Sequence, residues 1–431
     1  MSGTGVADPT AGPTAGLQAT VRALTRCYCT KWWETDSATP LLGPLVPRRQ
    51  QKENAHEAER LIDELAAAIE RCPEGDDERR RWRDELQARV RRFGAERLGW
   101  PEGYHSLLFA DEFFDTTRSF VREARAFDPA VGADDVLQAL RNVWIANSLQ
   151  MLLDRPVRLS PAIFGYSMLY PWTDNYLDDA QVPREAKAFF NEALTRRLAG
   201  EPCAPRNRRE REVFELVAMI EGEHNRAARP EVYESLLAIQ RAQAASLRQQ
   251  EAGAPYEVDL LGLSLEKGGT SLLADAWLVA GVLEPAEAEF AFGYGVFLQL
   301  LDDLQDARRD REAGHMTVFS QAAGHWPLDR LASRLYRLIG RVVDESPRFA
   351  APCYDDRLDL IRRNCTLLLV GAVAENAELF SRPFTTALEE RWQVDFASLR
   401  RLRRAGAKRY GRALGRLRRR RGLAGVLELV A

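Results

Sequence analysis

The run Phe290-Ala-Phe-Gly-Tyr-Gly-Val-Phe-Leu-Gln-Leu-Leu-Asp302-Asp303-Leu-Gln-Asp306-Ala-Arg-Arg-Asp310-Arg311-Glu312 decides how the rest of the chain is read. A helix through it places Asp302, Asp306 and Asp310 on one stripe, with steps of about 6 Å along the axis. Followed backwards, that stripe passes Gln299, Gly295 and Phe292, so an acidic mouth continues into a small and aromatic floor. A second acidic group ends Ala162-Ile-Phe-Gly-Tyr166-Ser-Met-Leu-Tyr170-Pro-Trp172-Thr-Asp174-Asn175-Tyr-Leu-Asp178-Asp179. Here Asp174 and Asp178 share a helix face, and Asp179 is turned about 100° from it. A lone acidic pair at this spacing usually marks a solvated face. Both of these pairs instead follow long apolar and aromatic runs, and like charges at i, i+4 repel unless something positive lies between them.

The residue types suit one chemistry. Carboxylates are hard oxygen ligands for Mg²⁺, which keeps part of its water and bridges to substrate phosphates. Metal charge stabilises a diphosphate as it leaves. The carbocation left behind needs dry, aromatic surroundings, and Phe292, Tyr166, Tyr170 and Trp172 are placed to line them. Direct donors to a diphosphate are sought among Arg and Lys. Lys267 is one of only five lysines beside fifty-five arginines. Arg141 interrupts the apolar helix 137–153, Arg311 adjoins Asp310, and Gln299 opens the second motif. A structural salt bridge is the simpler reading of Arg141, and Glu312 is a ready partner for Arg311.

Outward from the motifs, the chain of 431 residues is 45% apolar and 29% charged, a globular balance. Alternating β-branched runs are scarce and helical spacing recurs, which predicts an all-α protein. Helices are expected at 52–71 and 76–98, as a charged hairpin around Cys72-Pro73-Glu74-Gly75. Further helices are expected near 116–126, 134–153, 161–180, 184–199, 208–224, 230–250, 270–282, 285–312, 327–343, 355–380 and 384–417. The organisation expected is a flexible tail at 1–20, an accessory N-terminal helical region at 21–105, one large α-bundle at 106–395 and a basic helix or tail at 396–431.

The net charge is −3, which gives no general signal for nucleic acid. Twelve basic and no acidic residues lie between Arg400 and Arg421, so the remainder sums to −15. That stretch is read first as a helix packed on the acidic body. Its alternative role is peripheral contact with an anionic membrane. Six scattered cysteines suit a reducing compartment. No basic-then-apolar leader opens the sequence and no apolar run reaches bilayer length, so a cytoplasmic location is expected. The five histidines form no ligand pair, although His315 follows the second motif. No Gly-rich phosphate loop or Ser-His-Asp pattern supports a kinase or hydrolase.

At the acidic motifs the sequence resembles the class I isoprenoid (terpenoid) synthase superfamily. Gln299–Asp306 is similar to the Gln-x-x-Asp-Asp-x-x-Asp motif of trans-prenyltransferases. Lys267-Gly-Gly-Thr270 with Val279-Ala-Gly281 is similar to the helix before that motif in prenyltransferases and in squalene and phytoene synthases. Asp174-Asn175-x-x-Asp178 and Asp302–Phe319 resemble the two motifs of bacterial large-terpene synthases of the tetraprenyl-β-curcumene type. The resemblance covers about residues 160–320. It implies an α-helical bundle, a prenyl diphosphate substrate and several Mg²⁺ ions, up to three. The ions would be held by Asp174 and Asp178, with Asp179, and by Asp302, Asp306 and Asp310; family habit adds a homodimer.

The first motif departs from the Asp-Asp-x-x-Asp of chain-elongating enzymes, and the second lacks the Asn-x-x-x-Ser-x-x-x-Glu of common cyclases. The leading expectation is a terpene synthase that ionises and then cyclises or rearranges its substrate. A prenyl transferase is the alternative within the chemistry. A non-catalytic helical scaffold with a basic membrane- or nucleic-acid-binding tail is the alternative outside it.

Overall fold

Leu260-Leu-Gly-Leu-Ser-Leu begins a segment with no polar face, the pattern of a helix buried all round. In the computed structural model this segment, Leu260–Ala280, is the axis of the molecule. The structure describes residues 13–101, 103–104, 110–178, 181–346 and 354–430. Within these it leaves out the side chains of 13–15, 76, 170, 171, 174, 177, 178, 354 and 421–430.

The protein is all-α, with no strand among the described residues. The helices are α1 (Pro13–Glu34), α2 (Arg48–Glu70), α3 (Asp76–Leu98), α4 (Asp111–Phe127), α5 (Ala133–Leu152), α6 (Pro161–Asp178), α7 (Arg184–Leu198), α8 (Arg208–Glu223) and α9 (Pro230–Ser246). They continue as α10 (Arg248–Glu251), α11 (Leu260–Ala280), α12 (Pro285–Gln305), α13 (Ala307–Ala313), α14 (Asp329–Asp344), α15 (Tyr354–Glu375), α16 (Arg382–Glu389) and α17 (Phe396–Val430). None of the described helices is long and apolar enough to cross a membrane.

Helix α11 packs against α12, α9, α1, α5 and α6. Its closest partner is α12, and glycine makes that approach possible. A methyl group on Gly268 would stand 2.5 Å from the Gly295 carbonyl oxygen and would also run into Gln299 Cβ. One on Gly295 would strike the Gly268 carbonyl, and one on Gly269 the Phe292 ring. Glycine lowers helix propensity by about 1 kcal/mol relative to alanine. That cost hides the first half of α11 from a reading by pattern, which predicts a helix only from 270; burial on every side outweighs it.

Helix α12 starts cleanly. Pro285 occupies its first turn, and Glu284 and Glu287 close a reciprocal capping box. It was expected to run unbroken to 312, but the chain bends at Asp306 before α13. The bonds Asp306 N–H to Asp302 O (2.9 Å) and Asp310 N–H to Asp306 O (2.8 Å) carry the i, i+4 ladder across the bend.

The N-terminal region needs a correction. Helix α1 begins inside the stretch read as tail, and it belongs to the bundle instead of an accessory region. Leu17, Val21, Tyr28 and Trp32 fall on one stripe, and all four are buried. Tyr28 Oη donates to the Glu289 carbonyl (3.2 Å), and its ring lies 5.8 Å from that of Phe292.

Only α2 and α3 form the expected hairpin, and α2 docks on α17. The segment 384–417 is two helices, not one. The amides of Gln51 and Asn54 on α2 hold the carbonyls of Glu389, Trp392 and Gln393 in the break between them.

Candidate functional site

The glycine contact between α11 and α12 brings Ser264 and Lys267 beside Gln299, Asp302 and Asp303. At its centre is Asp303, which the sequence places only as the middle acid of the motif. Asp303 is buried. Its two oxygens accept from Ser264 Oγ (2.7 Å) and Gln299 Nε2 (2.8 Å). Gln249 Nε2 in turn donates to Ser264 Oγ (3.2 Å). Burial lifts the Asp303 carboxyl to about 6 against these hydrogen bonds and the nearby Lys267. Gln299 is thus committed to Asp303, where the sequence suggested a diphosphate donor.

Asp302, one residue before Asp303, is exposed and makes no ion pair among the described residues. Its carboxyl is raised above the usual range, first by loss of surrounding water and then by Asp306. Lys267, Arg309 and Arg141 pull it the other way, which sets all three cations within electrostatic reach of it. Asp306 pairs with Arg309 one turn along. Asp310 is pushed up to about 6 by partial burial and by Asp306, with Arg309 opposing. Asp302 and Asp310 both lie within electrostatic reach of Asp306, whose charge disfavours theirs.

The two cations differ in setting. Lys267 is half-buried on α11 and Arg141 is exposed on α5. Neither makes a salt bridge or a side-chain hydrogen bond among the described residues. The structural salt bridge considered for Arg141 is therefore not seen there.

Arg311 lies elsewhere. Its Nη1 donates to the Ala323 carbonyl (3.0 Å) and packs over Gly324, pinning the loop after the motif. That loop carries His315, 3.7 Å from Asp310. Burial first, then Lys267, hold its imidazole below the usual pKa, against the pull of Asp303 and Asp306.

On the other motif, α6 runs through positions 174 and 178. The side chains of Tyr170, Asp174 and Asp178, and the whole of Asp179, lie outside the described residues. Two turns before position 174, Ser167 joins a buried junction of three helices. Asn142 Nδ2 donates both to Ser167 Oγ (3.1 Å) and to Asp275 Oδ1 (3.0 Å). This junction ties α5, α6 and α11 together, about two turns along α11 from Lys267. Burial raises Asp275 to about 8, and its Oδ2 has no hydrogen-bond partner among the described residues.

The aromatic candidates separate. Phe292 is fully buried between Gly269 and Tyr28, so it braces the helix pair. Tyr166 is buried in the core. Trp172 donates to Glu212 (3.1 Å) and faces Phe127 in the wall of a different cleft. That cleft, about 650 Å³, lies between α5, α6 and α8. Its polar groups satisfy one another: Arg208 is held by Glu212 and Asp128, Asn175 donates to Asp135, and Arg209 lies over Tyr176.

Among the described residues no three Asp, Glu, His or Cys side chains already converge on one ion position. Among the described residues, Cys27, Cys29, Cys203 and Cys365 are free thiols. Sequence reasoning missed Ser264 and Asp275. Ser264 had a visible signal, since it stands about one turn before Lys267, within the apolar run that begins the helix. Compared with known proteins, the chain matches no family model, no curated protein and no solved structure.

Proposed function

We propose that the protein is a terpene synthase of the class I kind, acting on a prenyl diphosphate at the α11–α12 edge. One observation carries this reading. The carboxylates of Asp302, Asp306 and Asp310 form a row with two cations, Lys267 and Arg141, that have no ion-pair partner among the described residues. A purely structural charge cluster would pair Lys267 and Arg141 as well, as Arg309 pairs with Asp306.

The donor set suits the chemistry of a hard divalent cation, with oxygen ligands at helical spacing, although the three side chains do not converge on one ion position. Asp302 and Asp310 are raised first by burial and then by neighbouring carboxylates, a repulsion that a positive ion would relieve. Asp302, Asp306 and Asp310 would share several such ions between them, with Asp174, Asp178 and Asp179 as the expected ligands from α6. Bound Mg²⁺ supplies charge that stabilises the departing diphosphate.

The chain's own residues do the rest. Lys267 and Arg141 offer donors to diphosphate oxygens without first breaking an ion pair to any described residue. Ser264 and Gln299 hold the Asp303 carboxylate, which keeps the end of α12 in register with α11.

The test is incubation of the purified protein with a single allylic diphosphate and Mg²⁺. Hydrocarbon or alcohol with release of diphosphate is expected. Turnover only after a second isoprenoid is added would make the protein a prenyl transferase. No Mg²⁺-dependent release across chain lengths from C10 to C35 would overturn the enzymatic reading.

A further inference from the structure

Helix α17 carries two kinds of basic residue. Arg409 pairs with Glu59 (3.2 Å) and Asp63 (2.9 Å), Arg416 with Glu70 (2.9 Å) and Arg403 with Glu375 (3.7 Å). Arg400 and Arg420 donate to the carbonyls of Ala374 and Glu70. These five hold the helix to α2 and α15. Leu402, Ala413 and Leu417, buried on the same side, mark the inner face.

The outer face is different. Arg401, Arg404, Lys408, Arg412 and Arg419 are exposed and have no acidic partner among the described residues. At 100° per residue they fall within about 60° of a single line, over a length of about 27 Å. The helix then continues from Gly422 to Val430, where the sequence is apolar apart from Glu428.

We infer that this stripe is a docking surface for an anionic lipid bilayer. The charge on the two sides is complementary: a +12 segment is carried on a remainder of −15, so the molecule meets a negative surface with α17 foremost. Nucleic acid is the competing polyanion. From Phe396 onward there is no Asn or Gln for base edges, and the one aromatic residue inside the basic stretch, Tyr410, is half-buried against Gly406. A basic stripe followed by an apolar end is the arrangement of an interfacial helix. The inference stands whether or not the protein is a synthase.

The test is co-sedimentation of the full chain with phosphatidylcholine vesicles, with and without phosphatidylserine. Binding is expected only to the vesicles with phosphatidylserine, and high salt should weaken it. Each charge removed lowers partitioning by about five-fold. The triple variant Arg404→Gln, Lys408→Gln, Arg412→Gln should therefore bind roughly a hundred-fold more weakly, with an unchanged melting curve. Equal binding by the triple variant and the parent would overturn the proposal. So would equal binding to both vesicle types, or tight binding to double-stranded DNA with none to vesicles.

Discussion

Helices α11 and α12 meet through Gly268 and Gly295, with backbone against backbone, whereas α2 and α17 meet through guanidinium and carboxylate groups around a thin apolar strip. The strip between α2 and α17 is Ala55, Val394 and Leu402, a small cluster apart from the main core. The first contact is short-range, fixed in geometry and intolerant of any added atom. The second is long-sided, adjustable and weakened by salt. The charge-bearing chemistry proposed here depends on the first kind of contact. It must hold Lys267 and Asp302 in a constant relation, and a seam of glycines does so without adding side-chain freedom.

Four experiments break or sharpen this contrast. The largest effect is expected from Gly295→Val, which forces branched carbon into the Gly268 carbonyl. Losses above about 4 kcal/mol are expected from such a clash in a packed seam, so the variant should lose its cooperative thermal unfolding transition in circular dichroism. Next is Asp302→Asn. It is expected to lower Mg²⁺-dependent diphosphate release by about two to three orders of magnitude. Its melting temperature should hold or rise, because a crowded carboxylate is removed.

The third is Asp275→Asn, at the junction of α5, α6 and α11. Burial raises the folded-state pKa to about 8, far above the ordinary aspartate value, while the Asn142 hydrogen bond opposes the shift. The folded form keeps a proton that the unfolded chain gives up, so stability falls as pH rises across that window. The variant should melt several degrees higher than the parent near pH 8 and show no gain near pH 4, as measured by differential scanning fluorimetry. The smallest effect is Arg409→Gln on α17. A loss of about 0.5–1 kcal/mol is expected at low salt, vanishing in high salt, by urea titration.

Much of the fold is legible because helical periodicity is written in the sequence from Arg48 to Arg420. The acidic stripe on α12 is found where its spacing places it, since the ladder persists through the bend at Asp306. What escaped depends on tertiary context. Helix α1 looks like a tail because Thr and Gly precede its apolar stripe, and its burial needs partners more than 200 residues away. The start of α11 carries three glycines that argue against a helix until a neighbour needs the space. Gln299 and Asp303 show the same limit at the site. Their types and spacing suggested ligands, but only the approach of Ser264 from another helix reveals that they hold each other.

The hydrogen bond from Tyr28 to the Glu289 carbonyl spans 261 positions of the chain. During synthesis, the apolar side of α1 therefore leaves the ribosome well before the surface that covers it has been made. At ordinary elongation rates that delay is roughly 15–50 s. For that interval Leu17, Val21, Tyr28 and Trp32 are sites for a holding chaperone or for sticking to a neighbouring nascent chain. Yield in the cell should depend on translation speed through the segments between α1 and α12, even where the finished protein is stable.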